Sequence, residues 1–268
     1  MEYVVGIDQG TSSTRASIFN TIDGTVVAKH SELIETITLM DGFAEQDPEK
    51  IWDSVVACID NVLDQFLSQS KSNTLNNIKA VGITDQRETT VCWNKTTGKP
   101  YYNALVWHDK RNDKIVEKLI EDHDGMFSLA KYTGLPFSNY FSCTKIKWIL
   151  NYSKEFQNDQ KIGNSCFGTI DTWLIWKLTE SKYHLTDVTN ASRTSLFNIN
   201  IFDWDRKLCS AFGVPITILP TVKESYADFG TISFGRLKGI PIKAIILYSK
   251  IHSLKECIIT TAMLTKKV

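Results

Sequence analysis

The chain has 268 residues, with 30 basic and 30 acidic side chains and a formal net charge of zero. Hydrophobic residues make up 43% of it and aromatic residues 11%, enough for a sizeable core and too apolar for a disordered polypeptide. The balanced charge and lack of a long basic run argue against a nucleic-acid or anionic-membrane binder, and the length suits one large domain or two small ones.

In chain order, Val4 to Asp8 and Ala16 to Asn20 read as strands flanking a polar, glycine-containing turn. Two more strand-like runs cover Thr25 to Lys29 and Glu32 to Leu39. Asp47-Pro48-Glu49 then opens a helix, with Asp47 as N-cap and Pro48 in the first turn. Ile51, Val55, Ile59, Val62 and Phe66 recur at three- and four-residue steps, so one face of that helix is predicted to be core. Strands are expected over Ile78 to Thr84, Thr89 to Trp93 and Ala104 to Trp107. Helices are expected over Asp113 to Glu121, Met126 to Tyr132 and Thr144 to Asn151, with Gly134 at a helix C-cap. Asp171 is placed as the cap of a further helix with Leu174, Ile175 and Leu178 inward. Asp205 begins one more, ended by Gly213 and Pro215. This order predicts an α/β or α+β sheet layered with helices.

The six cysteines (Cys58, Cys92, Cys143, Cys166, Cys209 and Cys257) stand singly, without a C-x-x-C pair, and read as reduced thiols of a cytoplasmic protein. No signal peptide is expected ahead of the strand at Tyr3, and no apolar run reaches the roughly 18 to 20 residues of a membrane span.

Chemistry concentrates in four stretches. In Asp8-Gln9-Gly10-Thr11-Ser12-Ser13-Thr14-Arg15, Gly10 allows close backbone approach to an anion, and successive amides with the hydroxyls of Thr11, Ser12 and Ser13 form a phosphate cradle. Asp8 suits Mg²⁺ and Arg15 offsets phosphate charge. An ordinary polar hairpin turn has the same look, and no Walker A pattern occurs. The second stretch holds Arg87 beside Glu88, a donor fork and an acceptor for polyol hydroxyls, or else a surface ion pair. The third ends a strand at Trp107, either an apolar wall for a small ligand or a core tryptophan. In the fourth, Tyr140 precedes a helix whose Ile146 and Ile149 face inward. The five histidines show no ligand spacing, and no G-x-S-x-G elbow is present.

Together these stretches resemble the FGGY carbohydrate kinase family, and within it the members that phosphorylate glycerol. The resemblance rests on Gly6 to Ser13, Gly42-Phe43-Ala44-Glu45-Gln46-Asp47-Pro48, Asp85-Gln86-Arg87-Glu88-Thr89-Thr90, Asn103 to Asp109, Tyr140-Phe141-Ser142, Thr144-Lys145, Asp171-Thr172-Trp173-Leu174 and Thr186 to Thr194. It implies an α/β, ribonuclease H-like domain of the actin and sugar-kinase ATPases, the first of the usual two. It implies phosphoryl transfer from ATP, with Mg²⁺, to glycerol, giving sn-glycerol 3-phosphate. By position, Asp8, Thr11, Ser12, Ser13 and Arg15 take nucleotide contacts, with Asp8 at the metal. Arg87, Glu88, Trp107 and Tyr140 take substrate contacts.

From Lys243 the sequence departs from the family, where a second domain should bring a Gly-Asp-Gln whose aspartate accepts the hydroxyl proton. The expected division is a kinase N-terminal domain over 1–242 and a divergent tail over 243–268, with no catalytic base in the chain. A positioned base contributes about 10²–10⁴-fold, so the chain alone is expected to be inactive. Two alternatives stay open at this point. One is a non-catalytic binding module that associates with itself or with full-length kinase, and the other is a kinase of another sugar.

Overall fold

The computed structural model describes residues 1–247. Strands β1 (Tyr3–Gln9), β2 (Ser13–Asn20) and β3 (Val26–Leu33) form an antiparallel meander. The short strand β4 (Glu45–Gln46) leads into the long helix α1 (Pro48–Gln69), and β5 (Ile78–Asp85) returns parallel to β1. Strands β6 (Val91–Asn94) and β7 (Ala104–Leu105) follow, and β7 pairs back with β4. Helices α2 (Asp113–Asp122), α3 (Ala130–Thr133), α4 (Ser142–Tyr152) and α5 (Lys154–Lys161) precede β8 (Ser165–Gly168), which pairs with β6. Next come α6 (Ile170–Leu178), β9 (Leu185–Asp187), the single turn α7 (Val188–Ala191) and the hairpin β10 (Phe197–Asn198) with β11 (Asp203–Trp204). Helix α8 (Arg206–Phe212) and β12 (Thr221–Lys223) lead to β13 (Ile242–Leu247), which lies parallel to β5.

The main sheet therefore runs β13-β5-β1-β2-β3. Every residue of β1 is buried, as a central strand covered on both faces requires. Tyr3, Val5 and Ile7 join the core that includes Ile51, Val55, Ile59, Val62 and Phe66 of α1, the stripe predicted from periodicity. Alternate residues point the other way, where Val4 packs with Phe19 and Ala80. Asp47 caps α1 by accepting from the Glu49 amide at 2.9 Å. A second core under the helical insert gathers Phe137, Phe141, Ile146, Phe156, Phe167 and Phe212.

Several expectations are corrected. The two strand runs at 25–29 and 32–39 are one strand ending at Leu33, because its partner β2 begins at Ser13, opposite Leu33. Beyond it, Ile37 makes only an isolated bridge to Glu45. The helix expected over Met126 to Tyr132 contracts to Ala130–Thr133, although Gly134 does end it in the left-handed region at φ 72°. Asp171 is not a cap. Thr169 precedes the helix, and Asp171 lies wholly buried inside its first turn, accepting hydroxyl donors from Thr169 and Thr186. The boundary drawn after Ile242 falls within β13, whose Ala244 and Ile245 are fully buried beside β5. A short apolar run next to an open parallel edge pairs there, because the ladder satisfies its backbone. The remainder of the expected tail lies outside the described residues.

Candidate active site

Strands β1 and β5 run parallel, and their carboxyl ends feed two loops that face one cleft, the usual position for a ligand on an open sheet. That cleft has a volume of about 460 Å³ and is lined by Asp8, Gly10, Thr11, Ser12, Ser13, Arg15, Gln86, Arg87, Trp107 and Tyr140. Eight of the nine residues named from sequence meet in it. The ninth, Glu88, follows Arg87 with its side chain fully buried.

The phosphate-type turn is tightly closed. The Gly10 amide donates to the Ser13 carbonyl at 2.9 Å, and a Cβ at Gly10 would sit 3.2 Å from that same oxygen. A side chain at Gly10 would therefore crowd the turn, and the Ser13 carbonyl would have to give by a few tenths of an ångström. Asp8 is largely buried, which raises its pKa, and Arg15 opposes this from 3.4 Å. Trp107 is 37% exposed and its indole Nε1 donates to Thr11 Oγ1 at 3.1 Å. Trp107 is thus a wall of the cleft rather than core, and Thr11 keeps its own hydroxyl proton free to donate.

Three buried glutamines tie the loops together. Gln86 Nε2 donates to Gln9 Oε1 at 3.1 Å and to Gln46 Oε1 at 2.8 Å, while Gln46 Nε2 reaches the Thr11 carbonyl at 2.7 Å. Thr89 Oγ1 donates to Gln86 Oε1 at 2.9 Å. The two cleft loops are thereby set in one register.

Arg87 and Glu88 do not form the surface pair that adjacency allowed. Arg87 is exposed, whereas Glu88 turns inward with φ 58°. A non-glycine residue in that region is uncommon and held by its surroundings. The Glu88 carbonyl accepts from Thr90 Oγ1 at 3.0 Å and from Ser142 Oγ at 3.1 Å. Its carboxylate Oε1 accepts from Arg193 Nε at 2.7 Å. Oε2 is buried and, among the described residues, has no partner at full hydrogen-bond geometry, while the Tyr140 hydroxyl lies close enough to interact with the Glu88 carboxylate. Burial raises the Glu88 pKa, opposed by Arg193, then Arg87 and Lys145. Tyr140 is raised by burial and then by the Glu88 charge. Lys145, also fully buried, donates to the carbonyls of Asn139 and Tyr140, and burial lowers its pKa to about 8.

Sequence reasoning missed the roles of Arg193, Lys145, Gln46 and Gln86, although each stood inside a quoted stretch. Nothing in spacing connects Glu88 to a partner 105 positions away. The one available signal was that basic and amide residues recur in those stretches without a helical or strand period.

Three antiparallel strands followed by parallel strands on the inner edge, with a glycine turn at the first hairpin, define the ribonuclease H-like fold of the actin and sugar-kinase ATPases. The chain belongs to the FGGY family of carbohydrate kinases, whose N-terminal domain profile matches residues 3–249. Among curated relatives, glycerol kinase of Limosilactobacillus reuteri is 45% identical over 242 residues, covering 90% of this chain and 47% of that protein. Glycerol kinase of Clostridium botulinum is 42% identical over 242 residues, with the same coverage of 90% and 47%. The crystal structure of Plasmodium falciparum glycerol kinase with ADP superposes with a TM-score of 0.82 at 33% identity, covering 92% of this chain and 48% of that one. The chain thus spans about half the length of the relatives it matches. No described helix is long and apolar enough to cross a membrane.

Proposed function

We propose that this chain forms the substrate-holding lobe of an ATP-dependent glycerol kinase, giving sn-glycerol 3-phosphate. The observation that carries this reading is the buried Glu88 Oε2, an acceptor with no partner at full hydrogen-bond geometry among the described residues, beside a cleft lined by Arg87, Trp107 and Tyr140. A buried carboxylate oxygen left unpaired is costly, and a ligand hydroxyl relieves that cost. Arg87 supplies donors, Tyr140 a hydroxyl, and Trp107 an apolar wall for the carbon chain. The glycerol kinase relatives favour glycerol over larger sugars as the polyol.

On the facing side, the hydroxyls of Thr11, Ser12 and Ser13 with Arg15 hold phosphate oxygens. Asp8 fits Mg²⁺, because that ion takes one or two carboxylates together with water and phosphate oxygens, and among the described residues the Asp8 carboxylate has only a long contact to Arg15. Bound there, the ion would supply positive charge against the phosphates. This chain's own contribution is positioning, the main requirement in phosphoryl transfer. The relatives carry roughly half their length outside the matched stretch, and we assign the transfer step to the two halves together. The five described cysteines are all free and buried, which suits a cytoplasmic protein.

Calorimetric titration with glycerol, gluconate and xylulose tests the reading. Glycerol should bind best and Arg87→Ala should abolish its binding. Equal binding of all three, or an unaffected Arg87→Ala, would reject it.

A further inference from the structure

Glu88 is fixed at its backbone by two hydroxyl donors and at its side chain by one guanidinium. That guanidinium belongs to Arg193, two residues past the turn α7, which Asp187 caps through the amides of Thr189 and Asn190. The Arg193 amide donates to the Asn190 carbonyl at 3.0 Å, and the next residue, Thr194, accepts from the Cys143 amide at 3.0 Å. The arginine is therefore braced by both α7 and the start of α4. Its guanidinium carbon lies 5.0 Å from the Phe141 ring centroid and 5.9 Å from that of Tyr140, so the planar group also rests on the loop that carries Tyr140. Lysine provides neither the fork nor the flat face.

We propose that Arg193 is the positioning residue of the Glu88 carboxylate: it holds Oε1 and leaves Oε2 as the oxygen offered to a polyol hydroxyl. This rests on the polyol reading of the cleft. The charged and titratable groups facing Glu88 are Arg193, Arg87, Lys145 and Tyr140. Arg193 alone among the three cations makes a hydrogen bond to the carboxylate. Its loss frees the carboxyl to rotate and removes its nearest charge partner. A site built to hydrogen-bond a hydroxyl rejects an analogue lacking it, and that discrimination needs the acceptor held in one orientation.

The experiment uses the 268-residue chain and the variants R193Q, R193K and E88Q. First, the Glu88 carboxyl is titrated by carbon-13 NMR without ligand, its signal identified by its absence in E88Q. R193Q should raise the proton affinity of Glu88 about tenfold or more, while R193K, which keeps the charge, stays closer to the wild type. Second, calorimetry compares glycerol with propane-1,2-diol. R193Q and R193K should both lose about ten- to a hundredfold of the preference for glycerol. A merely structural arginine would lower stability and leave both readouts in place. An unmoved Glu88 midpoint in R193Q, or a preference for glycerol undiminished in both variants, overturns the proposal. If the wild type binds neither diol nor triol, the polyol reading fails, and the NMR titration still decides whether Arg193 governs the carboxyl.

Discussion

Replacing Arg111 by Met should destabilise the domain more than most single changes, and the structure gives the size. The Arg111 side chain is fully buried, with Nε 2.9 Å from both Asp109 oxygens and Nη2 2.7 Å from Glu45 Oε2. Its guanidinium also lies 4.2 Å from the Phe43 ring centroid and 4.9 Å from that of Trp148. Methionine fills much of the volume between those rings yet leaves two buried carboxylates without their cation. Breaking a buried pair in this way costs about 3–5 kcal/mol. For a domain of this size each kcal/mol lowers the melting temperature by about 2–4 °C, so thermal unfolding should shift down by about 6–20 °C. The triple variant Glu45→Gln, Asp109→Asn, Arg111→Met removes the stranded charges and should recover more than half of that loss. An Arg111→Met protein melting within about 2 °C of the wild type would refute the reasoning, as would a triple variant no more stable than the single one.

Three further outcomes are expected. His184 is partly buried, and desolvation lowers its pKa to about 4; the unfolded chain binds its proton first, so stability should fall as pH drops from about 6.5 toward 4. His184→Gln should flatten that limb in denaturant titrations, and an unchanged slope would contradict it. Gly10→Ala should press on the Ser13 carbonyl at 3.2 Å and weaken ADP binding by calorimetry while glycerol binding holds; equal ADP affinity would contradict it. Gln46→Ala and Gln86→Ala share one hydrogen bond, so their stability losses should couple by about 0.5 kcal/mol or more in a double-mutant cycle, whereas strict additivity would show the glutamine network to be slack.

The parts of the fold that local chemistry controls were legible in advance. The α1 stripe, its Asp47 cap and the Gly134 and Gly213 stops each follow from one or two residues, and each stands where periodicity and capping placed it. Asp171 defeated the same logic. It looks like a cap, yet tertiary burial beside Asp85 and Asp187 draws it into the interior, where burial pushes its pKa up to about 7. Strand β13 was also hidden, because a parallel edge strand far along the chain carries no signal of its partner. In the site, the hairpin turn and the Arg87 loop were visible as motifs. The inward turn of Glu88 was not, since it depends on Ser142 and Arg193 from distant elements.

The most direct test follows the Trp107 indole proton and the Glu88 carboxyl by NMR while glycerol is titrated into the chain. Both signals should move together with one affinity, and Glu88→Gln should abolish the indole response. If glycerol leaves both signals in place, or moves the indole equally in Glu88→Gln, the cleft is not a polyol site.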